Sequence, residues 1–227
     1  MTELHVLRVF VNDESECGNG LGVFLDGAAV REDRRQAVAA DLGFSETVFV
    51  DDISDDTATI RIFTPGRELS FAGHPTVGTS WLLATVAQPV ATLRVPAGDV
   101  ATWQDGQLTW IRARAAWVHA IELRHLGAPA EVDALPLQAM GEPGRYAWAW
   151  EDEATGRLRS RYFATDVGIL EDEATGAAAV VMGDRLGRPL TIRQGVGSEL
   201  HVRPDRATGT VAVGGRTELV EVREVSG

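Results

Sequence analysis

Arg61-Ile62-Phe63-Thr64-Pro65 returns 100 residues later as Arg161-Tyr162-Phe163-Ala164-Thr165, and after each copy a loop leads to a glycine that opens a helix-like run. The two openings are Gly73-His74-Pro75-Thr76 and Thr175-Gly176-Ala177-Ala178. Further on, Thr92-Leu93-Arg94-Val95, a Gly-Asp turn and Gln107-Leu108-Thr109-Trp110 find their counterpart in Leu190-Thr191-Ile192-Arg193, a Gly-rich turn and Gly209-Thr210-Val211-Ala212-Val213. An order and spacing kept over three segments predicts a duplicated chain, divided near residue 115 into halves 1–114 and 115–227. Two like halves that meet face to face bring both helix starts to one cleft, a common place for a small-molecule site.

Within the halves, strand-like alternation predominates. It predicts strands at His5 to Asn12, Leu21 to Leu25, Val48 to Asp52, Thr57 to Thr64, Leu108 to Arg112, Trp117 to Leu123 and Leu219 to Val225. Helical patterning is best at Arg31 to Leu42, with Gly43 where a C′ glycine belongs. A second helix is expected from His74, with Pro75 in its first turn and Val77, Trp81, Leu82 and Val86 facing inward. The class is α+β, with more strand than helix.

Composition removes several chemistries. The chain has 227 residues and a formal net charge of -12, which argues against a phosphate-backbone partner such as nucleic acid. All 21 basic residues are arginine. Without lysine there is no Schiff base, no Walker-type phosphate lysine and no pyridoxal phosphate anchor. The lone cysteine, Cys17, excludes an internal disulfide and a zinc site built on several thiolates, and the five histidines show no metal-ligand spacing, so no metal is expected. Apolar runs such as Ala177 to Met182 are far too short to span a bilayer, and the first ten residues lack a signal-peptide layout, which predicts a cytoplasmic protein without membrane contact.

Two features point to proton transfer. Glu46 is a single carboxylate among Phe44, Val48, Phe49 and Val50, a setting that raises a carboxyl pKa. His74 stands at a helix start, where free backbone N–H groups and an imidazole converge. The plainer readings are a strand-edge glutamate and a histidine that caps a loop.

Ser45-Glu46-Thr47-Val48-Phe49-Val50, Phe63-Thr64-Pro65, Gly73-His74-Pro75-Thr76-Val77-Gly78 and Glu171-Asp172-Glu173-Ala174-Thr175-Gly176-Ala177-Ala178, in that order, resemble the PhzF-like phenazine biosynthesis family of isomerases. The resemblance runs from about Val9 to Gly215. It implies a diaminopimelate-epimerase-like fold of two pseudo-symmetric halves, each a curved mixed β-sheet wrapped around a central helix, in a homodimer. It also implies cofactor-independent proton shifts on a small carboxylate-bearing metabolite. Carried over by position, the catalytic glutamate, histidine and supporting aspartate are Glu46, His74 and Asp172. Substrate binding falls to Ser45, Gly73, Thr175, Gly176 and Ala177. Glu173 and Ala177 depart from the family's usual proline and serine, which removes one hydroxyl contact to substrate. A non-catalytic small-molecule binding protein on the same fold is the alternative that Ala177 and a shortened second half suggest.

Two decoys need separating. Glu-Asp-Glu-Ala-Thr-Gly occurs at 151–156 and again at 171–176. The first copy lies between alternating runs typical of a hairpin, so Asp152 is expected to be solvated and only Asp172 to belong to the site. Cys17-Gly18-Asn19-Gly20 looks like the cysteine motif of racemases with this fold. It lies at the wrong place in the chain and has no partner cysteine near Thr175, so it is read as a turn between strands.

Overall fold

β-Branched and aromatic residues in period-2 alternation build fifteen strands among the described residues, 1–165 and 168–225 of a computed structural model. In chain order they are β1 (Thr2–Val11), β2 (Asn19–Phe24), β3 (Glu46–Ser54), β4 (Thr57–Phe63), β5 (Glu68–Leu69), β6 (Thr92–Val95), β7 (Gly98–Asp105) and β8 (Leu108–Ala113). There follow β9 (Glu122–His125), β10 (Arg145–Asp152), β11 (Arg157–Ala164), β12 (Ile169–Asp172), β13 (Leu190–Gln194), β14 (Ser198–Asp205) and β15 (Thr210–Val225). Four α-helices accompany them: α1 (Arg35–Leu42), α2 (Gly73–Val86), α3 (Pro129–Asp133) and α4 (Gly176–Leu186).

All strands belong to one mixed sheet of order β1-β2-β3-β4-β6-β7-β8-β15-β14-β13-β11-β10-β9, with β5 beside β4 and β12 beside β11. β15 also pairs with β1, so the path returns to its start. Most pairings are antiparallel. The parallel pair β4–β6 is bridged by α2 and the parallel pair β11–β13 by α4, because parallel neighbours need a long crossover. Gly73 to Ser80 of α2 are all buried, and α4 buries Ala178, Ala179, Val180 and Met182, as expected of helices enclosed by sheet. The main core joins the two helices to strands from both ends of the chain, including Leu7, Leu21, Ile60, Ile192 and Val213. A smaller cluster of Leu4, Phe24, Val38, Phe49 and Phe63 lies under α1.

Several sequence expectations are met closely. The helix before Gly43 runs over Arg35–Leu42, after a 3-10 turn at Glu32–Arg34, and Gly43 closes it at φ +71°. Runs 145–152 and 157–164 form the expected antiparallel hairpin, and exposed Asp152 accepts from the N–H groups of Ala154 and Thr155 in its turn.

Three expectations are corrected. The run Trp117 to Leu123 is no continuous strand: Ala115–Trp117 is a 3-10 turn and pairing begins only at Glu122. Trp117 turns its ring toward Phe71, 5.8 Å between centroids, which pulls this segment off the sheet. Val86 is 46% exposed, because the last turn of α2 emerges into solvent, with Thr85 and Ala87 exposed beside it. The expected strands at 209–213 and 219–225 are one strand, β15, whose first part pairs with β8 and β14 and whose remainder pairs with β1.

Candidate active site

The starts of α2 and α4 touch tip to tip. A methyl group built on Gly73 would lie 2.5 Å from the Gly176 carbonyl carbon, and one built on Gly176 would lie 2.8 Å from the Gly73 Cα. Glycine is therefore the residue that lets two helix N-termini meet, not a source of unusual dihedrals. Neither start has a side-chain cap, so both first turns present N–H groups and the positive ends of their dipoles to one place.

Glu46 is the first residue of β3, and its side chain is 13% exposed. His74 is the second residue of α2, with a side chain 4% exposed. Glu46 Oε2 and His74 Nε2 lie 3.3 Å apart, and both are buried without a hydrogen-bond partner. They meet in distance but not in hydrogen-bond angle. A small reorientation of either side chain, with one proton between them, would satisfy both.

Electrostatics set the protonation states. Burial pushes Glu46 up to about 7 from an ordinary 4.5, against a smaller opposing effect of the Ser45 hydroxyl. Burial takes the His74 imidazole down to about 4, although Asp172 and the Gly20 carbonyl favour its charged form. Asp172 is raised to about 6, first by burial and then by Glu46. At neutral pH the ring is therefore neutral, and Glu46 holds its proton far above the usual carboxylate range.

A hydrogen-bonded chain holds Asp172. Its Oδ1 accepts from Asn19 Nδ2 at 2.7 Å and its Oδ2 from the Thr175 hydroxyl at 2.5 Å. Asn19 Nδ2 also donates to the Ala174 carbonyl at 3.0 Å, and Asn19 Oδ1 accepts from the Ser45 hydroxyl at 3.2 Å. Gln194 Nε2 donates to Thr175 Oγ1 and to the Asp172 carbonyl. One amide thus links the loop before β3 to the loop before α4. Replacing Asn19 with Ala leaves a buried carboxylate oxygen without its donor, and we expect a loss of about 2 kcal/mol in urea denaturation at pH 7, with Asp172 titrating higher still.

A cavity of about 400 Å³ opens above this group. Glu46, Asp172, Thr175 and Ala177 lie along it, and Phe71, Trp117 and Tyr162 supply aromatic wall. Ser45, expected to touch substrate, turns its hydroxyl to Asn19 Oδ1 and the Gly20 carbonyl and is not among the residues that line the cavity. Glu173 leaves the cavity to accept from the Val196 N–H at 3.0 Å and the Ser198 hydroxyl at 2.7 Å, while Ser198 Oγ accepts from the Gly18 N–H. It stiffens by hydrogen bonds a loop that a proline would stiffen by its ring. Cys17 sits at φ +61° in the turn between β1 and β2. Burial and nearby Glu173 raise its thiol pKa, the opposite of what a thiolate base needs. Among the described residues no group of three His, Cys, Asp or Glu side chains is placed to hold a metal ion, and no helix is long and apolar enough to cross a membrane.

Sequence reading gives no site role to Asn19 or Gln194. For Asn19 a signal exists, an amide flanked by Gly18 and Gly20, but a turn between strands accounts for it equally well. Gln194 ends an ordinary strand and carries no signal of its own.

The model of the phenazine biosynthesis-like protein family, PhzC-PhzF, matches residues 8–111. The chain is 31% identical to a trans-2,3-dihydro-3-hydroxyanthranilate isomerase of Pseudomonas aeruginosa, over 98% of this chain and 94% of that one. An uncharacterized isomerase of Pasteurella multocida is 29% identical, over 97% and 93%. In fold it is similar to the crystal structure of a phenazine biosynthesis PhzC/PhzF protein from Clostridium difficile, with a TM-score of 0.79, 19% identity and full coverage of both chains.

Proposed function

We propose, from the premise that this chain belongs to the phenazine biosynthesis-like PhzF family and is an isomerase, that it shifts a proton between two carbons of a small carboxylate-bearing substrate with no cofactor. The observation that carries the reading is the facing pair Glu46 Oε2 and His74 Nε2, both buried and unpartnered beside the cavity. We read the chain as two related halves, 1–114 and 115–227, each supplying one helix tip to the cleft.

In this mechanism the substrate carboxylate rests on the N–H groups at the starts of α2 and α4. Glu46, as carboxylate, takes a proton from an activated carbon, and the electron pair left behind delocalises toward the substrate carboxylate. The two helix tips meet that growing negative charge without having to reorganise. Glu46 then returns the proton to a second carbon, so the product has the substrate's atoms with the double bond and hydrogen moved. A pKa near 7 serves both halves of the cycle, because the same group must accept and release. Neutral His74, with Nε2 3.3 Å from Glu46 Oε2, needs a small reorientation of either group to hydrogen-bond to it. Asp172, held by Asn19 and Thr175, fixes the ring's surroundings.

The test uses D2O. The first probe is trans-2,3-dihydro-3-hydroxyanthranilate, the compound in the Pseudomonas relative's name, followed by a panel of small carboxylic acids. Deuterium should enter a carbon position of a bound acid, and Glu46→Gln should abolish the exchange. Tight binding with no exchange by the parent chain would instead favour a binding protein.

A further inference from the structure

The turn Thr64-Pro65-Gly66-Arg67 lies just beyond the end of the β3–β4 ladder that carries Glu46. Thr47 pairs with Phe63, and Phe63 in turn pairs with Glu68 on the opposite edge of β4. Glu46, Thr64 and Arg67 therefore stand on three neighbouring backbones, with about 10 Å between the first and the last. All three line the same cavity.

The turn is rigidly held. Thr64 Oγ1 accepts from the N–H groups of Gly66 and Arg67 at 3.2 and 3.0 Å, and the Thr64 N–H donates to the Arg67 carbonyl at 2.8 Å. Gln36 Nε2 clamps the carbonyls of Thr64 and Pro65 from α1. These bonds use only backbone groups of Arg67 and leave its guanidinium uncommitted. Glu68, the adjacent acid, is taken by Arg61, with Nη2 to Oε2 at 2.7 Å, and Arg61 also holds Glu32 at 2.9 Å. Among the described residues no carboxylate pairs with Arg67, in a chain with 33 acidic and 21 basic residues.

We infer that Arg67 is a specificity-determining residue, selecting substrates with a second anionic group, a carboxylate or a phosphate, at the end away from the reacting carbon. The inference rests on the cavity being the substrate site, as proposed above. A net charge of -12 repels dianions at long range, so admitting one needs a local cation. Glu46 and Asp172 also line the cavity, and among its described lining residues Arg67 is the one arginine available to a second negative group, since Glu68 beside it is taken by Arg61. A guanidinium on a fixed turn matches a carboxylate or phosphate with two parallel hydrogen bonds.

The test compares adipate with hexanoate, equal in length and differing by one carboxylate, by isothermal titration calorimetry of the full chain. Apolar wall such as Phe71 and Leu69 favours hexanoate, so a preference for adipate has to come from charge. The parent protein should bind adipate at least tenfold more tightly. Arg67→Gln should erase that preference with little change for hexanoate, and Arg67→Glu should invert it. Far-UV circular dichroism checks that both variants fold, as expected for an exposed side chain without partners. A parent that binds hexanoate at least as tightly, or an Arg67→Gln variant that keeps the preference, overturns the role of Arg67 and leaves the cavity reading standing. Binding of neither acid overturns both.

Discussion

Glu46→Gln should remove activity and, above neutral pH, make the protein more stable than its parent. The first part follows from the proposed role: loss of a positioned acid/base typically costs 10²- to 10⁴-fold, and here one group would both take and return the proton. The second follows from linkage. Folded Glu46 titrates near 7, against an ordinary 4.5. Below about pH 4.5 it is protonated in both states and contributes nothing to the pH dependence. Between 4.5 and 7 the unfolded chain releases a proton that the folded chain retains, so stability falls by about 1.4 kcal/mol per pH unit. Above 7 the full penalty, on the order of 3 kcal/mol, is in place. The amide of the variant has no proton to lose and escapes it. Urea midpoints for parent and variant should thus be close at pH 4.5 and clearly separated at pH 8, with the variant higher. Equal midpoints at pH 8 would mean that the carboxylate is well solvated, and the proton-transfer reading would lose its physical basis. Such a penalty retained at a site is the usual trade between stability and activity.

The parts of the chain that can be read in advance are those whose cause is local. Gly43 ends a helix because its own backbone adopts φ +71°, and Asp152 caps a turn two residues ahead of it. Glu46 announces itself through adjacent apolar residues, and its burial follows from belonging to a strand with buried Thr47 to Val50. Asn19 is a different case. Its partners are Asp172 and Ala174, more than 150 positions away, and no local pattern encodes a hydrogen bond of that span. Trp117 misleads for a related reason. Its neighbours alternate like a strand, yet a tertiary contact with Phe71 decides its course. Similarly, the two short strands at the end of the chain are one long strand because β8 and β14 flank its first part and β1 takes over along the remainder, which only the closed sheet reveals. Arg67 combines both kinds. The turn that fixes it is written in Thr64-Pro65-Gly66, but its lack of a partner depends on Arg61 capturing Glu68.

Gly73→Ala should be among the most damaging single-methyl changes available to this chain. Taken alone, alanine at a helical position is favoured over glycine by up to about 1 kcal/mol. Here the added carbon would lie 2.5 Å from the Gly176 carbonyl carbon, 2.6 Å from its Cα and 2.8 Å from the Ala177 nitrogen. All three are backbone atoms at the start of a buried helix, so no side chain can swing aside and α2 and α4 must separate as units. Overpacking of a rigid interior costs about 1–3 kcal/mol and sometimes more, and the immobility of both sides places this case at the upper end, well beyond the helix-propensity gain. Separation also pulls apart the N–H groups that are proposed to hold the substrate carboxylate. A shift of about 1 Å in such a constellation is enough for a 10²-fold loss of rate. Gly66→Ala is the matched control, because nothing lies within 4 Å of its added carbon. Its effect should stay within about 0.5 kcal/mol. Urea denaturation of both variants beside the parent, with activity measured on whatever fraction of Gly73→Ala remains folded, separates the two cases. If Gly73→Ala proved as stable and as active as Gly66→Ala, the helix tips would not be in contact, and the anion-holding junction on which the mechanism depends would not exist.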